Sequence, residues 1–158
     1  MNGWRIVRPA HVANPLSGSG SARTGNRWNS PGVRMAYAST SRPLAVLEML
    51  VHVTREYIPL DAVLLPIDIP DELISQLHRP PEGWNEYPYG IGARSVGDQW
   101  IRQGLSLAML VPSAVLTSEY NLLINPAHAK FAQIEIGKPE PHAWDRRLFG
   151  MGDRDDAA

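Results

Sequence analysis

Residues 25–50 read GNRWNSPGVRMAYASTSRPLAVLEML, and both the fold and the chemistry turn on how this stretch is read. Residues 33–38, VRMAYA, alternate enough for a strand. Ser41 can cap a helix that has Pro43 in its first turn, and the pattern predicts that this helix runs to about Arg55. Between Leu44 and Val51 every residue except Glu48 is apolar. At about 100° per residue, Leu44, Leu47 and Val51 share a face with Glu48 beside them, while Val46, Met49, Leu50 and Val53 cover the other side. Such a helix is expected to be largely buried, and an unpaired carboxylate inside it is costly. Glu48 therefore needs a partner or an opening. Two readings stand: a buried ion pair with Arg5, Arg8 or Arg27, and a carboxylate at the floor of a cleft. A buried ion pair contributes little net stability compared with apolar packing, so the first reading leaves the choice of residue unexplained.

The whole chain sets the frame for this helix. Its 158 residues are 44% hydrophobic and 20% charged, which fits one folded domain, expected over residues 1–150 with a polar tail at 151–158. A formal net charge of −1 without a basic block argues against a broad phosphate-binding surface for nucleic acid. The absence of cysteine excludes disulfides, thiolate zinc sites and a cysteine nucleophile, and fits a reducing cytoplasm. No signal segment and no membrane-spanning run is expected.

Further along, WRIVR at 4–8 reads as a first strand, and NPLSGSGSARTGN as a long loop whose Gly18, Gly20 and Gly25 supply flexibility. AVLLPIDIP reads as a strand that Pro66 confines to an edge or bulge. Asp71 is expected to open a short helix to about Leu77, and HRPPEGWNEYPYGIGARS to form a long irregular loop. Ser95 and Asp98 look like a capping box for a helix stopped by Gly104. LSLAMLVPS, NLLIN and FAQIEI read as strands. Strands and helices without a βαβ rhythm point to an α+β fold.

Arginine offers a planar fork suited to phosphate or carboxylate oxygens, and Arg5 and Arg27 are the candidates for holding an anionic ligand near Glu48. Tyr37 is either a ring lining the same cleft or an ordinary core tyrosine. GSGSAR breaks the dinucleotide-binding glycine pattern at Arg23. His52, His128 and the other histidines show no metal-ligand spacing, so no metal is expected. Ser113 has no base marked beside it and is not read as a nucleophile.

The blocks GNRWNSPGVRMAYASTSRPLAVLEMLVH, SVGDQW and VPSAVLTSEYNLLINPAH, in this order from about Arg5 to about Ile136, resemble the RES domain. By position the family's residues fall on Arg5, Arg27, Tyr37, Glu48 and Ser113, with Asn26 where members commonly carry glycine. The resemblance implies a fold similar to ADP-ribosyltransferase toxins, a split mixed sheet around NAD⁺. It implies the toxin of a bacterial toxin–antitoxin pair that destroys NAD⁺ by hydrolysis or phosphorolysis, with NAD⁺ as substrate and no prosthetic group. Its partner would be an Xre-like helix-turn-helix antitoxin, with a homodimer expected within the complex and no nucleic acid or membrane bound directly. Glu48, Arg27 and Tyr37 would be catalytic, while Arg5, Arg27, Tyr37 and Ser113 would bind NAD⁺. A protein ADP-ribosyltransferase using the same site is the first alternative, with PPEGWNEYPYG as its docking loop. A non-catalytic binding module is the second. Trp84, Tyr87 and Tyr89 are expected either to meet an antitoxin or to cover the core edge.

Overall fold

The computed structural model describes residues 1–53 and 57–149. The strands are β1 (Asn2–Val7), β2 (Ala36–Ser39), β3 (Val63–Asp68), β4 (Ile74–Gln76), β5 (Ala108–Pro112), β6 (Tyr120–Ile124), β7 (Glu135–Ile136) and β8 (Glu140–Pro141). The helices are α1 (Ser19–Thr24), α2 (Arg42–Leu50) and α3 (Ile91–Gln103). The strands form one mixed sheet in the order β4–β5–β6–β2–β1–β3–β7, with β8 also on β3. The architecture is α+β, as the mixed sequence pattern predicts. Among the described residues only β4 and β5 run parallel, and the crossover joining them carries α3, as parallel neighbours require.

The sheet is split. β1 pairs with β3 along its whole length, from Asn2↔Asp68 to Val7↔Val63, and β2 pairs with β6 from Ala36↔Ile124 to Ser39↔Asn121. Yet β1 and β2 meet only at Trp4↔Ser39 and then diverge. Thr40 N–H bonds the Tyr120 carbonyl, so strand alternation turns the backbone groups of Ser39 and Tyr37 toward β1. Past the split no strand is there to meet them. The guanidinium of Arg5 takes that place, its Nη1 donating to the Tyr37 carbonyl.

Register sorts the side chains onto two faces. Trp4, Ser39, Asn121 and Val111 lie opposite one another and share a face with Ile6, Tyr37 and Leu123. On that face α2 packs through Ala45, Val46 and Met49 onto Ile6 and Leu64. α3 packs there through Ala93 and Trp100 onto Met109, Val111 and Leu123. The two helices flank the split. The other face is sealed by Leu16, Ile69, Leu73 and Leu107 over Ala38, Leu122 and Ile124.

Several boundaries differ from expectation, each for a local reason. Ser41 does cap α2, accepting the Leu44 N–H at 3.2 Å, with Pro43 in the first turn. The helix ends at Leu50, however, where the His52 N–H turns back to the Met49 carbonyl, and Arg55 lies outside the described residues. α2 is also less buried than its apolar sequence predicts. Only Leu44 and Ala45 are fully buried, while Leu47 and Val51 are 37% and 57% exposed, because the helix packs on the sheet by one face alone. α3 starts four residues before Ser95, and Asp98 faces inward to accept the Ser30 N–H at 2.9 Å instead of capping. Gly104 stops it with a left-handed φ of 58°. The first half of FAQIEI is a 3-10 turn, leaving the two-residue β7, and Asp71–Leu73 is a 3-10 turn leading into β4.

The glycine-rich loop contains α1, which its composition hides. Gly18 and Gly25 bracket that helix at φ 65° and 72°, so they define its ends and are not there for flexibility. β3 is not an edge strand, since β1 pairs on one side and β7 and β8 on the other, but the register on that second side shifts by one residue beside Pro66, from Ile67↔Ile136 to Leu64↔Glu140, as at a bulge. The Pro66 carbonyl accepts the Gly137 N–H between β7 and β8, so its hydrogen-free nitrogen faces the break between those two short strands. The tail at 151–158 lies outside the described residues.

Among the described glycines, the closest approach to another segment is that of Gly97 on α3 to the segment carrying Arg27. A Cβ added at Gly97 would lie 1.8 Å from the Trp28 carbonyl oxygen. Gly97→Ala is therefore expected to cost about 3 kcal/mol or more, by forcing α3 off this contact. A urea melt of the two proteins measures it, and a change below about 0.5 kcal/mol would contradict the packing argument.

Candidate active site

Glu48 lies in the last turn of α2, on the side that faces the split. Its Oε1 accepts from the Ser113 hydroxyl at 2.8 Å and from Asn121 Nδ2. Both donors are neutral. Among the described residues no hydrogen bond reaches Oε2, and no ion pair joins Glu48 to Arg5, Arg8 or Arg27. Of the two readings of this carboxylate, the geometry matches the cleft. Glu48 borders a cavity of about 1170 Å³ together with Arg5, Arg27, Tyr37, Ser39 and Asn121.

Ser113 follows β5, and its Oγ accepts the N–H groups of Val115 and Leu116, both at 3.1 Å. With its lone pairs on the backbone and its proton on Glu48, this hydroxyl is a fixed donor. Asn121 stands on β6, and its Oδ1 accepts the Ser39 hydroxyl at 2.8 Å. Sequence reasoning missed Asn121 and Ser39. The available signal was a polar residue opening the apolar run NLLIN, but only the β2–β6 register shows that it points toward Glu48.

The two arginines are held differently. Arg5 is half-buried on the cavity wall, and desolvation shifts its pKa below the usual arginine value. Its Nε is buried without a hydrogen-bond partner, a donor left over after Nη1 has bonded Tyr37. Arg27 donates from Nη1 to the carbonyls of Trp84 at 2.7 Å and Glu86 at 2.9 Å, and its guanidinium lies 4.8 Å from the Tyr89 ring centroid. It thus fastens the 78–90 loop, which forms one wall of the cavity through Asn85, Tyr87 and Tyr89.

Tyr37 donates its hydroxyl to Asn29 Oδ1 at 2.7 Å and accepts the Trp28 N–H at 3.3 Å. Burial of the ring raises its pKa well above the usual phenol value, so the hydroxyl is a permanent donor. Its ring lines the cavity while its oxygen braces the turn that carries Arg27. Of the loop aromatics, Trp84 covers the core edge, stacked on Trp28 at 6.0 Å, whereas Tyr87 is 83% exposed. His52 borders the cavity, and His128 lies elsewhere, accepting the Lys130 N–H. Among the described residues no three His, Asp or Glu side chains form a metal-binding group.

A family model described as the RES domain matches residues 3–145. The chain belongs to the RES domain family. It is a RES toxin homologue: a protein from Pseudomonas putida named Toxin Res is 38% identical over 92% of this chain and 98% of its own length. Another from Sphingobium sp., named Prs ADP-ribosylating toxin, is 40% identical over 92% of this chain and 95% of its own. Among solved structures, the Mycobacterium tuberculosis MbcT–MbcA toxin–antitoxin complex contains a chain that superposes with a TM-score of 0.70. That match covers 94% of this chain and 86% of the other at 19% identity, and so supports the fold.

The RES domain's separated sequence blocks meet here in space. SVGDQW docks on the turn carrying Arg27 through Gly97 and Asp98, and VPSAV brings Ser113 onto Glu48. Because the Ser113 oxygen is saturated by backbone donors, a fluorophosphonate probe is expected to leave the protein unlabelled. Intact-mass measurement checks this, and a single stoichiometric adduct lost in Ser113→Ala would refute it. Tyr37→Phe leaves the Asn29 carbonyl oxygen and the Trp28 N–H without their partner. It is expected to destabilise by about 1–3 kcal/mol, read from chemical unfolding.

Proposed function

We propose that this RES protein is the toxin of a toxin–antitoxin pair and cleaves NAD⁺ at the nicotinamide–ribose bond. The observation that carries the reading is the arrangement of Glu48: one carboxylate oxygen held by two neutral donors, in a cavity whose wall is otherwise rich in arginine. Among the described residues Glu48 is the only acid along a wall that also carries Arg5, Arg8, Arg23 and Arg27. Such a cleft suits a ligand with a pyrophosphate and a sugar that turns cationic, and its volume accommodates a dinucleotide.

As the bond to nicotinamide breaks, positive charge grows on the ribose, as in glycoside cleavage. The Glu48 carboxylate, which borders the cavity, stabilises that charge and can hold a ribose hydroxyl. Ser113 and Asn121 keep the carboxylate in place without neutralising it, as an arginine partner would. Arg5 and Arg27, both on the cavity wall, bind phosphate oxygens or the nicotinamide ribose, and the Tyr37 ring packs against a base. Nicotinamide leaves as a neutral molecule, so no strong acid is needed. Water or inorganic phosphate then attacks the ribose. An Xre-like helix-turn-helix antitoxin is the proposed partner, in the cytoplasm.

One observation favours a second reading, in which a protein side chain is the acceptor: the Sphingobium relative's name describes an ADP-ribosylating toxin. Both readings share the bond that breaks. Purified protein incubated with NAD⁺, with and without phosphate, is expected to release nicotinamide, and Glu48→Gln to slow this by roughly 10²–10³-fold. Mass analysis of the second product identifies the acceptor, and tagged NAD⁺ added to a lysate reveals a protein target. Undiminished cleavage by Glu48→Gln would overturn the mechanism, and intact NAD⁺ under all these conditions would overturn the activity.

A further inference from the structure

Ser39 ends β2 and is 3% exposed, yet it has no part in the mechanism above. Its hydroxyl donates to Asn121 Oδ1 at 2.8 Å, across the Ser39↔Asn121 register of β2 and β6. The two ends of an asparagine amide have nearly the same shape, so neighbours decide which end points where. An ionised carboxylate only accepts hydrogen bonds, so it tolerates the Nδ2 end and repels the Oδ1 end. Once the Ser39 proton occupies Oδ1, the opposite end of the amide is left for Glu48 Oε1, and Asn121 Nδ2 makes that bond.

Ser39 is well placed to act as a fixed point. Its backbone is paired with Trp4 on one side and lies opposite Asn121 on the other, at the one position where the two halves of the sheet still touch. The side chain of Glu48, by contrast, springs from a helix packed by a single face. We propose that Ser39 is a positioning residue of the active site: it orients the Asn121 amide, and through it the Glu48 carboxylate, from the last joined pair of the sheet. The inference rests on the reading of Glu48 as the carboxylate that meets the ribose. It adds a residue that acts on Glu48 through Asn121, without a hydrogen bond to Glu48 itself.

Threonine and valine have the same shape and differ in the hydroxyl, so they separate positioning from packing. Ser39→Thr is expected to keep NAD⁺ cleavage within about threefold, while Ser39→Val and the smaller Ser39→Ala lower kcat about tenfold with KM changed less than twofold. In an Asn121→Ala background, Ser39→Ala is expected to add no further loss, because the residue it acts through is gone. Equal losses in the threonine and valine proteins with an unaffected alanine protein would overturn the proposal. So would a loss confined to KM, or additive losses in the double variant. A second measurement is independent of turnover. The Asn121 side-chain amide resonances, assigned by ¹⁵N NMR, are expected to move toward those of a free amide in Ser39→Ala, and unchanged resonances would refute the orienting role. If wild-type protein leaves NAD⁺ intact, the functional reading fails while the resonances still report on Ser39.

Discussion

The site exists because two adjacent strands part company, and one guanidinium makes that separation tolerable. A strand edge facing a gap carries peptide groups that need partners, and burying them unpaired is costly. Arg5 reaches across from β1 to the Tyr37 carbonyl on β2 and supplies a donor where a ladder would have done so. A side chain in place of a strand leaves room beside it. That room is the cleft, and everything placed on its walls follows from the divergence beyond Trp4↔Ser39.

The electrostatics of the cleft follow a similar division of labour. An ion pair between Glu48 and either arginine would neutralise the carboxylate and occupy the guanidinium. The fold avoids this by giving each charge neutral partners: hydroxyl and amide for Glu48, backbone carbonyls for Arg5 and Arg27. Opposite charges therefore face one cavity without being spent on each other. Such an arrangement is less favourable for an empty protein than direct pairing, and it points to a ligand carrying both kinds of complementary charge.

Much of this was legible from residue order. Glu48 stood out as the only charge between Leu44 and Val51, and Ser41 and Gly104 marked helix ends by chemistry that local geometry requires. The family resemblance selected Arg5, Arg27 and Tyr37, which line one cavity, and Ser113, which is fully buried behind Glu48 and off the cavity wall, so it holds the carboxylate and is not placed to bind a ligand as the resemblance implied. What could not be read depends on contacts remote in sequence. α2 looked buried because its composition is apolar, but how much of a helix is covered depends on what packs over it. Asp98 looked like a cap because of its spacing from Ser95, and only the arrival of Ser30 shows its use. Asn121 and Ser39 were invisible because cross-strand register is not written in either strand alone.

The contact of Gly97 with the Trp28 carbonyl has a consequence for genetics. Position 97 is far along α3 from any reacting atom, but a side chain there pushes against the turn that presents Arg27. If expression of the protein arrests growth, as the proposed function predicts, a selection for escape would recover changes at this glycine alongside changes at Glu48. A map of escape mutations would then trace a joint between two segments as well as a catalytic pocket.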